Sequence, residues 1–220
     1  MKKNYSILFA ILCFLAFQIP SVQGQAAFGF NVNVASPKGE LSNNIKHPAG
    51  ISFDVLIPIK KIRGLYVGGE FGVSMYANDS YLLSNADETD VFEVDEEDCF
   101  LAYHATAKYF PLKKRGLFNP YLEAKVGGLS YFSTIMSDEE DFDSQTSFHG
   151  SAFNAGLGGG LVIKAFRNLS FNSSVIYSVG SRANYRMIDK KDEVKKGLNE
   201  GIKNAETNYI NFKLGILFGF

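Results

Sequence analysis

The sequence predicts an all-β protein, an eight-stranded antiparallel up-and-down barrel that crosses a membrane with its strands. Three observations predict it. Hydrophobic residues recur at every second position over most of the chain, the number of such segments is even, and the connections between them alternate long and short. Composition sets the frame. The chain has 220 residues, a formal net charge of −1, 46% hydrophobic and 20% charged residues, which suits one domain and is too apolar for disorder. Its 20 Phe, 11 Tyr and 21 Gly favour strands and turns over helices. A near-neutral charge lacks the basic footprint of a nucleic-acid binder.

Residues 1–24 read as a secretory signal peptide. Lys2 and Lys3 form a basic start, and Ile7 to Ile19 is an apolar stretch too short for a helix to cross a hydrocarbon core of about 30 Å. Val22 and Gly24 then place small residues before a cut at Gln25, leaving residues 25–220 as the barrel domain. Cys13 is lost with the signal, and Leu12 before it argues against lipoprotein acylation. Cys99 is then alone in the exported chain, so no internal disulfide is available. A hydrogen-bonded barrel is one way for such a chain to hold itself together.

The strands follow in order. Phe28, Phe30, Val32 and Val34 alternate with Gly29, Asn31 and Asn33 in the first, and Ile51, Phe53, Val55 and Ile57 recur in the second. Strand 3, from residue 65 to 77, sets Leu65, Val67, Phe71, Val73 and Met75 against Glu70 and Ser74. Strand 4 (99–111) sets Leu101, Tyr103, Ala105, Ala107 and Tyr109 against His104, Thr106 and Lys108. Strand 5 (120–134) has the weakest pattern, with Gly127 and Gly128 interrupting it and Glu123 and Lys125 on one face. Strand 6 (151–166) turns Phe153, Leu157, Leu161 and Ile163 outward, strand 7 spans 169–183, and strand 8 spans 207–220. Such alternation is strand periodicity with one apolar face. The connections 36–49, 78–98, 135–150 and 184–206 are long, and 59–64, 112–119 and 167–168 are short, so one end of the barrel carries the short turns and both termini. That asymmetry is characteristic of outer-membrane barrels.

Two aromatic zones are expected at the bilayer interfaces. Tyr66, Tyr109, Phe110, Phe118, Tyr121, Phe166 and Phe171 lie near the short turns; Tyr76, Phe100, Tyr103, Tyr131, Phe132, Phe153, Tyr177 and Tyr185 lie near the long connections. The chain ends with Phe212, Leu214, Ile216, Phe218 and Phe220 in one register. A terminal Phe preceded by apolar residues at alternate positions resembles the assembly signal of bacterial outer-membrane barrels. With the signal peptide and eight strands, residues 25–220 resemble the small OmpA/OmpX-type barrels along their whole length, and the Gly-rich strands are similar to the PorT-like outer membrane β-barrel proteins of Bacteroidota. The resemblance implies a bacterial outer-membrane location and permits an accessory role in secretion.

The inward register holds Asp54, Glu70, His104, Lys108, Glu123, Lys125, Lys164, Arg182 and Lys213. An eight-stranded interior is just wide enough for side chains to fill, so these groups are expected to form a polar network that plugs the lumen. Gly156, Gly158, Gly159 and Gly160 superficially suggest a phosphate loop, but Leu161, Val162 and Ile163 continue the strand where a helix would have to start. Acidic residues gather in the second long connection, from Asp79 through Asp87, Glu88, Asp90 and Glu93 to Asp98, and in the third, from Asp138 to Asp143. Neither has the ligand spacing of an EF-hand loop. Lys60, Lys61, Arg63, Lys113, Lys114, Arg115 and Arg167 make a basic rim at the short-turn end.

The expected function is non-enzymatic: a membrane barrel with a plugged polar lumen that presents long acidic loops to lipid, surface or protein partners. Outer-membrane lipid is the expected surrounding, lipopolysaccharide or a protein the expected loop partner. The chain is expected to act as a monomer without cofactor, metal or nucleic acid. Two alternatives stand beside it. One is a lipid-A-modifying enzyme, for which His149 and Ser151 are the candidate pair. The other is a soluble lipocalin-like carrier, whose apolar register would face inward.

Overall fold

A computed structural model describes residues 26–84, 91–112, 116–136, 145–187, 194–195 and 202–219, so the signal peptide lies outside the described residues. The strands in chain order are β1 (Ala27–Pro37), β2 (Ala49–Pro58), β3 (Leu65–Ser84), β4 (Val91–Tyr109), β5 (Phe118–Met136), β6 (Gln145–Lys164), β7 (Leu169–Gly180), β8 (Arg182–Arg186), β9 (Val194–Lys195), β10 (Ile202–Glu206) and β11 (Tyr209–Phe218). Hydrogen bonding runs β2–β1–β11–β7–β6–β5–β4–β3, and β3 pairs back onto β2, so eight antiparallel strands close into a barrel. β11 is the closing strand, with Phe218 opposite both Phe28 and Leu169. Closure satisfies the backbone between strands, a condition for any sheet surrounded by lipid.

Alternation decides which side chains meet lipid. Phe30, Val32, Phe53, Val55, Phe71, Val126, Leu157, Val175 and Leu214 are exposed on the outer wall, while Asn31, Ser52, Asp54, Glu70, Lys108 and Lys213 are buried within it. An apolar exterior around a polar interior is the inverse of a soluble carrier. The shortest barrel strands, β2 and β11 at 10 residues each, have the length a tilted strand needs to cross a bilayer. Short turns close the end that holds both termini. In one of them Gly64 adopts φ +85°, where a Cβ would collide with the Phe110 carbonyl oxygen, and its own carbonyl accepts the Phe110 N–H at 2.8 Å.

At the other end the structure departs from the predicted loops. β3 and β4 remain paired from Ala77↔Asp98 up to Ser84↔Val91, and β5 and β6 up to Ile135↔Gln145. Within the connections 78–98 and 135–150, residues 78–84, 91–98, 135–136 and 145–150 are therefore strand, and Asp79, Asp95, Glu96 and Asp98 sit on the wall; Asp87, Glu88, Asp90 and Asp138 to Asp143 lie outside the described residues. Polar side chains do not oppose a ladder standing in water. They only remove the apolar signal by which a strand is read. β8 and β10 form a separate two-stranded ribbon above β7 and β11, and β9 pairs in parallel with β3 at Leu82 and Leu83. The four strands β3–β6 thus rise well above the membrane level on one side, whereas β1 and β2 are joined by a short 3-10 turn at Gly39–Asn43.

Candidate functional site in the barrel lumen

The lumen is layered. Its middle layer is an alternating chain of charges contributed by β2, β3, β4, β5 and β11. Lys108 Nζ lies 2.8 Å from Asp54 Oδ2 and 3.6 Å from Glu123 Oε2. Lys213 Nζ bridges Glu123 Oε1 at 3.1 Å and Glu70 Oε2 at 2.5 Å. Lys125 Nζ approaches Glu70 Oε1 at 3.5 Å, and His104 Nδ1 lies 3.8 Å from the same oxygen. Each acid thus faces a base and each ammonium an acid, the condition under which buried charge is tolerated. An amide belt adjoins it. Asn172 donates to Asn31 Oδ1 at 3.0 Å and accepts from the Tyr121 hydroxyl at 2.7 Å, while Asn154 Oδ1 is 3.1 Å from His104 Nε2.

Apolar layers lie above and below. Toward the short turns, Tyr66, Phe110 and Tyr121 pack with Leu56, Val162 and Leu217, with ring centroids 5.6 Å apart for Tyr66 and Phe110 and 5.1 Å for Phe110 and Tyr121. Gly160 makes room for this stack, since a Cβ there would collide with the Tyr121 ring. Toward the tall end, Tyr131 packs against Tyr76, Phe100 and Tyr185 at 5.9, 5.6 and 5.8 Å. Lys108 sits 5.4 Å from the Tyr121 centroid and Lys125 5.9 Å from that of Tyr209, a member of the upper cluster, which ties the charge layer to both aromatic clusters. A cavity of about 10 Å³ beside Glu70, Ser74, Lys125 and Tyr209 has room for one water.

These inner clusters correct the aromatic zones expected from sequence. Tyr66, Phe110, Tyr121, Tyr76, Phe100, Tyr131 and Tyr185 are buried inside, and Tyr109, Phe118, Phe166, Phe171, Tyr103, Phe153 and Tyr177 are exposed outside. Proximity to a turn does not set the side. Register does: Tyr66 shares the register of Glu70, Phe110 that of Lys108, and Tyr121 that of Glu123.

Of the expected lumen residues, Asp54, Glu70, His104, Lys108, Glu123, Lys125 and Lys213 come together, and two do not. Lys164 is exposed, because it ends β6 at the short-turn rim where the side chain can leave the wall for water. Arg182 is also exposed and pairs with Glu40 Oε2 at 2.7 Å. The break at Ser181 between β7 and β8 shifts the alternation by one, so that Ala183 and Tyr185 turn inward in place of Arg182. Phe212 and Leu214 face outward on β11 and Ile216 and Phe218 are half-buried, while Phe220 lies outside the described residues. The Gly156–Gly160 segment is continuous strand within β6.

A second buried polar cluster, absent from the sequence reading, lies above the upper aromatic cluster. Arg186 Nε is 2.8 Å from Glu96 Oε1, both almost wholly buried. Ser133 Oγ donates to Asp98 Oδ1, and His149 Nε2 is 2.8 Å from Ser133 Oγ. Burial first, then the neighbouring Glu96 charge, push the Asp98 carboxyl up to about 7 against the Ser133 hydrogen bond. Burial and the Arg186 guanidinium hold His149 below the usual imidazole range. Glu96 and Asp98 continue the inward register of Phe100 and His104, and extending that alternation past residue 99 would have found them. His149 does not meet Ser151, whose hydroxyl lies 3.1 Å from that of Ser130.

No protein family and no curated protein matches the sequence. Solved structures do match in shape. A major outer membrane protein of Thermus thermophilus aligns with a TM-score of 0.51 over 88% of this chain and 98% of that one, at 12% identity. Neisserial surface protein A aligns at 0.49 over 89% and 97%, at 13% identity. Outer membrane protein W of E. coli aligns at 0.45 over 90% and 100%, at 12% identity. The chain has the fold of a small outer-membrane β-barrel.

Proposed function

We propose that the chain is a non-enzymatic integral protein of a bacterial outer membrane. Its lumen is plugged, and it acts through the surface at its tall end. The observation that carries this reading is the layered lumen: among the described residues a charge-paired network packs between two aromatic clusters, which supports a filled interior over a solute channel. The apolar outer wall supports the membrane setting. Short turns at one end and tall strands at the other support an orientation with the termini in the periplasm and β3–β6 outside. Acidic residues on and between those strands suit a partner that brings cations or basic groups, such as cation-bridged lipopolysaccharide or a basic protein surface.

Electrophoresis of outer-membrane fractions, boiled and unboiled, tests the setting together with conductance of the purified protein in a planar bilayer. The expected result is an outer-membrane band that shifts on boiling and a protein that passes no steady current. A soluble protein without a shift removes the membrane reading. A stable open conductance removes the plugged lumen and leaves the barrel.

A further inference from the structure

Gly69 stands out in the lipid-facing register. Glycines beside it in the wall have a steric reason: a Cβ on Gly68 would collide with the Val55 carbonyl oxygen, and one on Gly127 with that of Tyr103. A Cβ on Gly69 would meet nothing nearer than the His104 carbonyl oxygen at 3.7 Å, and the residue is exposed. A strand glycine weakens its ladder and packs against nothing. Packing within the protein therefore does not account for the missing side chain.

What it leaves is a recess. The register aligns Val55, Gly69, Ala105 and Val126 in one row across β2–β5, and Phe53, Phe71, Tyr103 and Gly128 in the row next toward the tall end. Phe30 extends the second row, its ring centroid 5.2 Å from that of Phe53. The Tyr103 ring lies across Gly128, where a Cβ would come within 2.7 Å of the hydroxyl oxygen. The two small residues Gly69 and Ala105, set between Val55 and Val126 and beneath the rings of Phe53, Phe71 and Tyr103, leave a groove of about 470 Å³. The groove is shallow and open along its outer side, as a recess on the lipid-facing wall must be.

The groove lies midway up the apolar belt and is continuous with the wall that meets hydrocarbon. We infer that it seats one acyl chain of a membrane lipid, held in a fixed place while the surrounding lipids exchange. This rests on the membrane setting proposed above. Lining atoms of an unfilled recess forfeit dispersion contacts, and a flexible hydrocarbon chain is the group present at that depth that can follow a groove between side chains. The aromatic row gives the chain a ledge; Glu70 and His104 also line the groove, but their side chains are buried on the lumen side of the wall.

The test uses the full chain folded into phosphatidylcholine vesicles containing a small fraction of phosphatidylcholine with a diazirine midway along one acyl chain. After illumination, labelled peptides are mapped by mass spectrometry. Adducts are expected severalfold more often on Val67–Phe71 and Tyr103–Ala105 than around Val175 and Leu214, which are exposed on β7 and β11. Gly69→Leu, which fills the recess where there is room for a side chain, is expected to bring labelling down to the level of the other strands with the heat-shifted band intact. Ala105→Leu fills it from the neighbouring strand and provides the same reading if the first variant does not fold. Even labelling around the belt, or an excess that survives both substitutions, overturns the groove as a lipid site. Absence of labelling anywhere on the belt overturns the membrane setting itself.

Discussion

Removing the Lys213 ammonium would leave Glu70 and Glu123 facing each other across the lumen without the group that separates them. Breaking a buried pair from one side costs about 3–5 kcal/mol, so Lys213→Met is expected to lower stability by that order in urea unfolding from lipid vesicles. Adding Glu70→Gln should recover part of the loss, because three carboxylates facing only Lys108 and Lys125 become two. Unchanged unfolding in Lys213→Met would show that the network carries no net electrostatic load. At this scale the sequence was informative wherever alternation ran unbroken. Asp54, Glu70, Lys108 and Lys213 could be placed inside from register alone. Arg182 could not, because nothing in its own neighbourhood announces that the chain breaks at Ser181. Lys164 has the inward register but a side chain long enough to leave at a rim.

The β8–β10 ribbon shows what an element adds. It packs over the tall end of the lumen through Tyr185, which accepts a hydrogen bond from Asn44 at 2.8 Å, and through Arg186 on Glu96. Its stability should depend on pH through Asp98. The folded carboxyl keeps its proton up to about 7, whereas the ordinary value is 3.8. The folded form therefore binds more protons between those values, and the cluster loses stability as pH rises from about 4 to about 7. Amide hydrogen exchange in Arg182–Arg186, corrected for its intrinsic pH dependence, is expected to show easier opening at pH 7 than at pH 4. Asp98→Asn should abolish the difference, and a difference that persists in that variant would assign it elsewhere. Of this cluster only Glu96 and Asp98 were within reach of the sequence, through the alternation that continues from Phe100 and His104. Their acidic run reads as solvated loop, and Arg186, Ser133 and His149 come to it only through pairings that local sequence does not announce.

For the molecule as a whole, the eight-strand closure was the most legible feature, since alternation, strand number and the long–short order of connections all depend on it. The layering of the lumen was hidden because an aromatic residue near a strand end serves equally well as plug or as girdle until its register is fixed. Orientation is the property to test at this scale. In a Cys99→Ser background, Lys46→Cys at the tall end should react with a membrane-impermeant maleimide on intact cells. Lys60→Cys at the short-turn end should react only once the cells are opened. Both positions are exposed, so the reverse pattern would mean that the barrel is inserted the other way up.

The unequal height of the wall gives the molecule a front and a back. β3 extends for 20 residues where β2 has 10, and at about 3.4 Å per residue along a strand the difference is a fence standing over one side of the barrel only. In a crowded membrane, large neighbours can come close on the β1–β2 side and are held off on the β3–β6 side. A rotation of the barrel about the membrane normal therefore changes what it presents to any body approaching in the plane. Contacts between such molecules would have a preferred compass direction without any specific adhesive residue.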